Sequence, residues 1–276
     1  MTWRAPAVLA AAMAGALAAC GGSSSGGSGP VGAPTGSHDV VLRVETAGGY
    51  LAGSRRRANL PSLSVFGDGR VVVPGPTTLE FPGPALPNLQ EFRVTRDGLA
   101  RILDGAREAG LLGDEAPAYG EPGVTDQATT TVTVHAQGVT RRVAVYALGF
   151  RGRVSGVTPQ QHARRRRLEQ LVERAGDAAA FGDGLVRGSE RNYEASSLAV
   201  LVRPSETTDG DVHPWPLGDL RGTDCVALTG ADATSAIAAA RGTSDCDAWI
   251  SAGASYDLDF RPLLPDEHSC DDVSRR

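Results

Sequence analysis

The sequence contains no lysine, since all 27 of its basic residues are arginine, and these are outnumbered by 32 aspartate and glutamate residues. This acidic balance excludes the strongly basic profile of nucleic-acid-binding proteins. Abundant arginine, alanine and glycine without lysine favour a high-GC source genome over any one function. Neither C-x-x-C nor H-E-x-x-H occurs in the sequence. The signatures of thioredoxin-like redox pairs and of zinc proteases are therefore lacking.

Only one long apolar run is present, and it lies at the amino terminus. The positive stretch Met1–Arg4 precedes the apolar run Ala5–Ala16, and the small residues of a cleavage site follow. The run is too short to remain as an anchor across a hydrocarbon core about 30 Å thick. Residues 1–19 are therefore predicted to be a signal peptide, and no second apolar span follows them.

Cysteine follows the small residues directly, in the order Leu17-Ala18-Ala19-Cys20. This tetrad closely resembles the lipobox of bacterial lipoproteins, in which the cysteine thiol is joined to diacylglycerol and the cysteine becomes the new amino terminus. Two acyl chains such as palmitate, at about 0.8 kcal/mol per buried CH₂, hold a soluble domain on a membrane without further contacts. The motif predicts a protein attached through Cys20 to the extracytoplasmic face of the cell membrane.

The mature chain is predicted to contain a tether and two folded halves. Residues 20–38 comprise Cys20 and a Gly/Ser-rich tether. Residues 39–150 form the first α+β domain, with a hairpin at Gly67-Asp68-Gly69 and another at Gln137-Gly138. Between the hairpins, Thr95 is predicted to cap an amphipathic helix.

Residues 151–276 are predicted to form a second α+β half. Thr158-Pro159-Gln160-Gln161 carries the elements of a capping box, and the helix should continue to Ala175. Strands and one further helix, residues 231–240, follow. The predicted fold class is α+β, with mixed or antiparallel sheets and a few packed helices.

Four segments resemble those of a group of actinobacterial secreted lipoproteins that has no established activity. They are Leu60–Arg70 (LPSLSVFGDGR), Pro82–Pro87 (PGPALP), Tyr119–Val124 (YGEPGV) and Arg261–Glu267 (RPLLPDE). The resemblance covers most of residues 40–270. It implies an exported, lipid-anchored protein of that lineage, and it assigns no catalytic residue.

The three cysteines other than Cys20 lie in an oxidising compartment if the chain is exported. We predict a disulfide between Cys225 and Cys270, which would fasten the carboxyl-terminal tail to the sheet, and the ending of the resembled family supports this pairing. Pairing of Cys225 with Cys246, across the helix at residues 231–240, is the alternative.

Each of two charged segments has two interpretations, one as a binding site and one as a solvated surface. Asp266-Glu267-His268 lies beside Cys270 and offers zinc-ligand types, but no second ligand pair stands at zinc spacing. We predict a solvated acidic tail, without a metal or other cofactor. The run Arg164–Arg167 suits anionic lipid or envelope polymer, but a solvated helix face is favoured, with Arg165 paired to Glu169.

Three functional classes remain, because the sequence shows no nucleophile, base and orienting group at recognisable spacing. The first is a non-catalytic envelope lipoprotein that binds a protein or polymer partner or has a structural role. The second is a small-solute binder with a cleft between the halves. The third, an exported hydrolase, requires a Ser or Asp within hydrogen-bond reach of His135 or His213. We predict the first class, which is not an enzyme.

Overall fold

The computed structural model describes residues 1–2, 32–49, 59–77, 80–152, 155–205 and 210–274. These residues form a seven-stranded sheet, a five-stranded sheet and four helices, and the sheets are mostly antiparallel. The predicted α+β class is confirmed. The predicted signal peptide, Cys20 and the tether up to residue 31 lie outside the described residues, apart from Met1 and Thr2. None of the described helices has the length and apolar character required to cross a membrane.

The larger sheet is antiparallel throughout, with strand order β6-β5-β1-β2-β3-β4-β7. Its strands are β1 (Val40–Gly48), β2 (Leu63–Phe66), β3 (Arg70–Pro74), β4 (Leu89–Val94), β5 (Ala128–Ala136), β6 (Val139–Tyr146) and β7 (Val186–Asn192). Both predicted hairpins are found in it. Gln137 and Gly138 have φ values of 56° and 73°, which suit the two-residue turns that match strand twist. At the other turn Gly69 has a φ of 85°, and a Cβ there would lie 2.4 Å from the Val94 carbonyl oxygen.

Two helices cover one face of this sheet. Helix α1 (Arg96–Glu108) begins at Thr95, whose hydroxyl accepts from the Gly98 N–H at 3.2 Å. Helix α2 (Pro159–Ala175) begins with the predicted capping box of Thr158 and Gln161. Both helices bury their apolar stripes in one core with the inward residues of the strands. The periodic positions and the caps are local features, which explains why they could be read from the sequence.

Arg165 departs from its predicted role on a solvated helix face. Its side chain is buried, and Nη2 donates to the carbonyl oxygens of Tyr146 at 2.8 Å and Ala147 at 2.6 Å. Glu169, its predicted partner, forms an ion pair with Arg151 and accepts from the Gly149 N–H. Burial lowers the pKa of Arg165, and the nearby Glu169 carboxylate opposes this shift. The arginine thus donates to the Tyr146 carbonyl at the end of β6 and to the Ala147 carbonyl just beyond it, which also accepts the Phe150 N–H at 3.3 Å.

Arg165→Met should lower the free energy of unfolding by about 2–3 kcal/mol, the scale of hydrogen bonds to a charged group. The substitution keeps much of the apolar stem but removes the donor from the two carbonyl groups. Arg166→Met is the matched control, because Arg166 is exposed on the same helix and should change stability by no more than about 0.5 kcal/mol. Urea unfolding of both variants measures the difference, and equal effects would contradict the structural role of Arg165.

The smaller sheet has the order β10-β8-β12-β11-β9, with β9 parallel to β11 and the other pairs antiparallel. Its strands are β8 (Ser197–Pro204), β9 (Val212–Pro214), β10 (Cys225–Thr229), β11 (Ala248–Ser251) and β12 (Ala254–Pro262). Helix α3 (Gly230–Ala240) packs its alanines into the core of this sheet beside Trp215, Trp249 and Phe260. Helix α4 (Cys270–Ser274) follows β12.

The predicted boundaries between the tether and the two halves separate segments that pack together in the structure. Helix α2 and strand β7, which the sequence analysis assigns to the second half, pack on the larger sheet, where β7 pairs with β4. Residues 32–38 of the predicted tether also lie against this sheet. Gln137 donates its N–H to the Gly32 carbonyl, and Arg70 donates to the Ser37 carbonyl at 3.2 Å. These contacts depend on residues distant in sequence, which a compositional boundary does not detect.

Candidate functional site

The carboxyl-terminal segment, residues 261–268, joins the two sheets, and we call it the clasp. Leu264 packs with Phe66, Val72 and Leu89 on the face of the larger sheet opposite α1 and α2. Tyr193 donates its hydroxyl to the Leu263 carbonyl at 2.8 Å. Burial raises the pKa of Tyr193 to about 12, so this hydroxyl keeps its proton at neutral pH. The clasp therefore lies between the sheets, and open clefts of about 300 Å³ beside Asp266 and about 170 Å³ beside Val273 remain next to it.

A bidentate ion pair fixes the clasp to β1. Arg43 Nη1 and Nη2 each lie 2.7 Å from a carboxylate oxygen of Asp266, and Arg43 Nε donates to Ser64 Oγ at 3.2 Å. The side chain of Arg43 is 7% exposed and that of Asp266 18%. Beside this pair, the His38 ring contacts the Pro265 carbonyl through Nδ1. Parallel hydrogen bonds of this type determine geometry as well as contributing energy.

A second ion pair holds the clasp in its own shape. Arg261 and Glu267 are both 0% exposed, and the carboxylate accepts from both terminal guanidinium nitrogens. It also accepts the Leu264 N–H at 2.8 Å. Burial of two charges is tolerated only when the charges are paired and hydrogen-bonded. This pair was not predicted from the sequence, although Arg261 stands near the end of a buried strand and directly before Pro262, where a solvated arginine is not expected.

The disulfide ties the end of the clasp back to the smaller sheet. Cys225, at the start of β10, is bonded to Cys270, the first residue of α4, with a Cα–Cα distance of 6.1 Å. Ala199, Leu263 and Val273 pack around it. This is the pairing predicted from the sequence, and Cys246 lies outside the bridge.

The acidic residues near the carboxyl terminus are largely paired within the fold, which corrects the interpretation of a solvated tail. Asp266 and Glu267 bind arginines, and Asp272 accepts from the N–H groups of His268 and Ser269. No three His, Cys, Asp or Glu side chains converge as metal ligands in the part of the chain that the structure describes. These acidic residues therefore hold the clasp and the start of α4 in place through ion pairs and hydrogen bonds.

A His–Asp–Ser cluster lies at the β9 edge of the smaller sheet. Because β9 pairs with β11 and residue 247 immediately precedes β11, His213 Nε2 comes within 2.8 Å of Asp247 Oδ2. Ser244 donates its backbone N–H to Oδ2 at 3.0 Å and its hydroxyl to Oδ1 at 2.9 Å. The His213 ring also lies against Trp249, with a centroid separation of 5.3 Å. Burial raises the pKa of Asp247, but the hydrogen bonds from Ser244 and His213 outweigh it and the net shift is downward.

This cluster meets the distance condition stated for a hydrolase, because an aspartate lies within hydrogen-bond reach of His213. Its order differs from that of a serine-hydrolase triad, in which the imidazole lies between the hydroxyl and the carboxylate. Here the carboxylate lies in the middle and accepts from both the Ser244 hydroxyl and the ring. The Ser244 oxygen in turn accepts the Cys246 N–H at 3.1 Å. The geometry is that of a carboxylate that orders a turn and fastens it to an edge strand.

The other histidine considered for catalysis, His135, has a threonine partner. Its Nδ1 lies 3.0 Å from Thr140 Oγ1 across the β5–β6 pair. This is a cross-strand contact at the outer face of the sheet.

The turn that contains Ser244 also contacts the proline-rich loop that connects β3 to β4 in the larger sheet. Gly83 donates to Asp245 Oδ1 at 3.1 Å, the Asp245 N–H donates to the Gly83 carbonyl at 2.8 Å, and Ala85 donates to the Thr243 carbonyl at 3.0 Å. Among the described residues, the clasp and this loop both join the two sheets.

Comparison of the chain with protein-family models, with curated proteins and with solved structures gives no match in any of the three.

Proposed function

We propose that this chain is a lipid-anchored protein of a bacterial cell envelope, attached through Cys20 to the extracytoplasmic face of the cell membrane. The observation that carries the proposal is the tetrad Leu17-Ala18-Ala19-Cys20, which follows a positive stretch and an apolar run of signal-peptide length. The proposal includes the resemblance to actinobacterial secreted lipoproteins.

The disulfide gives independent support to export. Disulfides persist in oxidising compartments outside the cytoplasm and are rare within it. Cys225 and Cys270 are bonded, and the bridge is surrounded by buried residues of the smaller sheet and the clasp. A protein that depends on such a bridge for its stability needs an extracytoplasmic environment.

The length of chain after Cys20 limits where the folded part can act. Gly32 and Ser37 already contact the larger sheet, so only the residues between Cys20 and Gly32 separate the anchor from the fold. The eleven residues between them give twelve Cα–Cα steps, which span at most about 43 Å at full extension. The folded part is thereby held close to the membrane surface.

We propose a non-catalytic binding or structural role for the folded part. The His213–Asp247–Ser244 cluster has the hydrogen bonding of a turn, and the clasp occupies the region between the sheets. The first of these features weighs against the hydrolase considered from the sequence. An envelope protein or polymer, reached from the membrane surface, is the partner class that fits a tethered domain.

Mass spectrometry of the protein extracted from its native membrane tests the anchor. The wild type is expected to begin at Cys20 with a diacylglyceryl group and to fractionate with membranes, because the thiol carries the lipid. Cys20→Ala removes the acceptor and should abolish both the lipid mass and the processing at this position.

Cys246→Ala is the matched control, since it removes a cysteine outside the disulfide and should leave the lipid in place. An unlipidated wild type, or a Cys20→Ala variant that still carries the lipid mass, would overturn the proposed attachment.

A further inference from the structure

A groove of about 580 Å³ opens to solvent between α1 and α2. Its floor is apolar and includes Ile102 and Leu171. Gly105 brings the two helices close, because a Cβ at this position would lie 3.1 Å from Leu171 Cδ1. Phe181, from the 3₁₀ turn Ala178–Phe181 that follows α2, adds to the apolar lining and packs edge-on against Phe92. The floor therefore belongs to the rigid core of the larger sheet.

The rim of the groove is polar and rich in arginine. Arg101 stands on α1, and Arg167 and Arg174 stand on the facing side of α2. Arg167 and Arg174 are two helical turns apart, which corresponds to about 10 Å along the helix axis. Gln170 lies between them on the same side. Hydrogen-bond donors are thus spread along the α2 wall of the groove, and the guanidinium group of Arg101 lies on the α1 wall.

The arginines of the rim outnumber its acidic residues. Asp104 and Glu108 also line the groove, but Asp104 is bound to Arg107, which lies outside the lining, at 2.5 Å. Among the described residues, no carboxylate forms an ion pair with Arg101, Arg167 or Arg174. The lining therefore holds three guanidinium groups against two carboxylates, one of which, Asp104, is paired with an arginine outside the groove.

We propose that this groove binds a small ligand that carries two or more phosphate groups. Its volume falls within the range of about 300–1,000 Å³ typical of small-molecule sites. The planar guanidinium fork matches phosphate oxygens in a bidentate manner, and the spacing of the arginines favours several phosphates over one. Glu108 accepts hydrogen bonds from hydroxyl groups of the ligand, and the apolar floor contacts its carbon skeleton. The ligand is either a soluble phosphorylated molecule or the headgroup of an anionic phospholipid.

This inference goes beyond the proposed function, because it rests on the binding role and adds a small-ligand site to a protein whose proposed partner is an envelope protein or polymer. It does not depend on Cys20. A failed phosphate titration would leave the mass-spectrometric test of the anchor unaffected, and an unlipidated chain would leave the titration valid.

Calorimetric titration of the full-length protein in neutral detergent micelles with inorganic tripolyphosphate tests the site. We expect saturable binding, with orthophosphate at least about tenfold weaker because it offers one phosphate to the three arginines. Arg167→Glu and Arg174→Glu should each weaken tripolyphosphate binding by about tenfold to a hundredfold, the loss expected for hydrogen bonds to charged groups. Glu108→Gln should strengthen binding, because it removes the opposing carboxylate.

Arg166→Glu is the matched control, since it makes the same charge change at an exposed position on α2 outside the groove lining. The same titration in micelles that contain cardiolipin distinguishes the two ligand sources. Loss of the tripolyphosphate signal assigns the groove to a lipid headgroup, and its retention assigns the groove to a soluble phosphorylated molecule. Absence of tripolyphosphate binding, or equal weakening by Arg166→Glu and Arg167→Glu, would overturn the proposal.

Discussion

Glu267→Ala should lower the free energy of unfolding by about 3–5 kcal/mol, the cost of leaving one member of a buried ion pair without its partner. The Arg261 side chain is 0% exposed, and among the described residues no other carboxylate forms an ion pair with it. The Leu264 N–H would also lose its acceptor. Urea unfolding followed by circular dichroism measures the change. The large effect follows from desolvation, because a charge separated from water must be balanced by its immediate neighbours.

Two further variants test whether the loss of stability comes from the buried ion pair or from the removal of any charge. Arg261→Met combined with Glu267→Leu removes both charges and should recover much of the lost stability, because apolar replacement of a buried pair is often neutral or favourable. Asp104→Ala disrupts an ion pair whose side chains are at least half exposed, and it should cost about 1 kcal/mol or less. If Asp104→Ala cost as much as Glu267→Ala, the clasp would not contain the pair in the form described.

Removal of the disulfide should destabilise the protein by a similar amount. The bridge joins residues 45 positions apart, and closing a loop of that length reduces the chain entropy of the unfolded state by about 4 kcal/mol at 25 °C. The double variant Cys225→Ala, Cys270→Ala should therefore unfold at clearly lower urea concentration than the wild type. The wild type should lose comparable stability on reduction with dithiothreitol.

Cys246→Ala supplies the control for this experiment, because it leaves the bridge intact. Its response to reductant should equal that of the wild type, whereas the double variant should show none. A peptide map under non-reducing conditions should link Cys225 to Cys270. Any link from Cys246 to either residue would contradict the pairing.

The ion pairs and the disulfide together hold the clasp against both sheets. Arg43–Asp266 and the packing of Leu264 fix the clasp to the larger sheet, while the bridge fixes its end to the smaller one. The ligand groove proposed between α1 and α2 lies on the other face of the larger sheet, away from these contacts.

Local features of the sequence predicted local features of the fold. The capping residues Thr95 and Thr158 mark the starts of α1 and α2, and the turn residues at Gly67–Gly69 and Gln137–Gly138 mark two hairpins. Each of these signals acts over a few residues, through a hydrogen bond or a restricted φ. The cysteine pairing was also predicted, because Cys225 lay at the start of a predicted strand and Cys270 just beyond the last one, and the ending of the resembled family supported it.

The sequence by itself determined the α+β class, the main helices and hairpins, and the motif at Cys20 on which the proposed address depends. Only the tertiary structure decided which charges are buried and paired. Arg43 and Asp266 are 223 residues apart, and Arg165 reaches carbonyl groups of a strand that ends well before its own helix. Such contacts depend on how sheets and helices are arranged in space, whereas side-chain periodicity and capping depend on neighbours along the chain. A run of arginines or acids therefore looks solvated in the sequence until the topology supplies its partners.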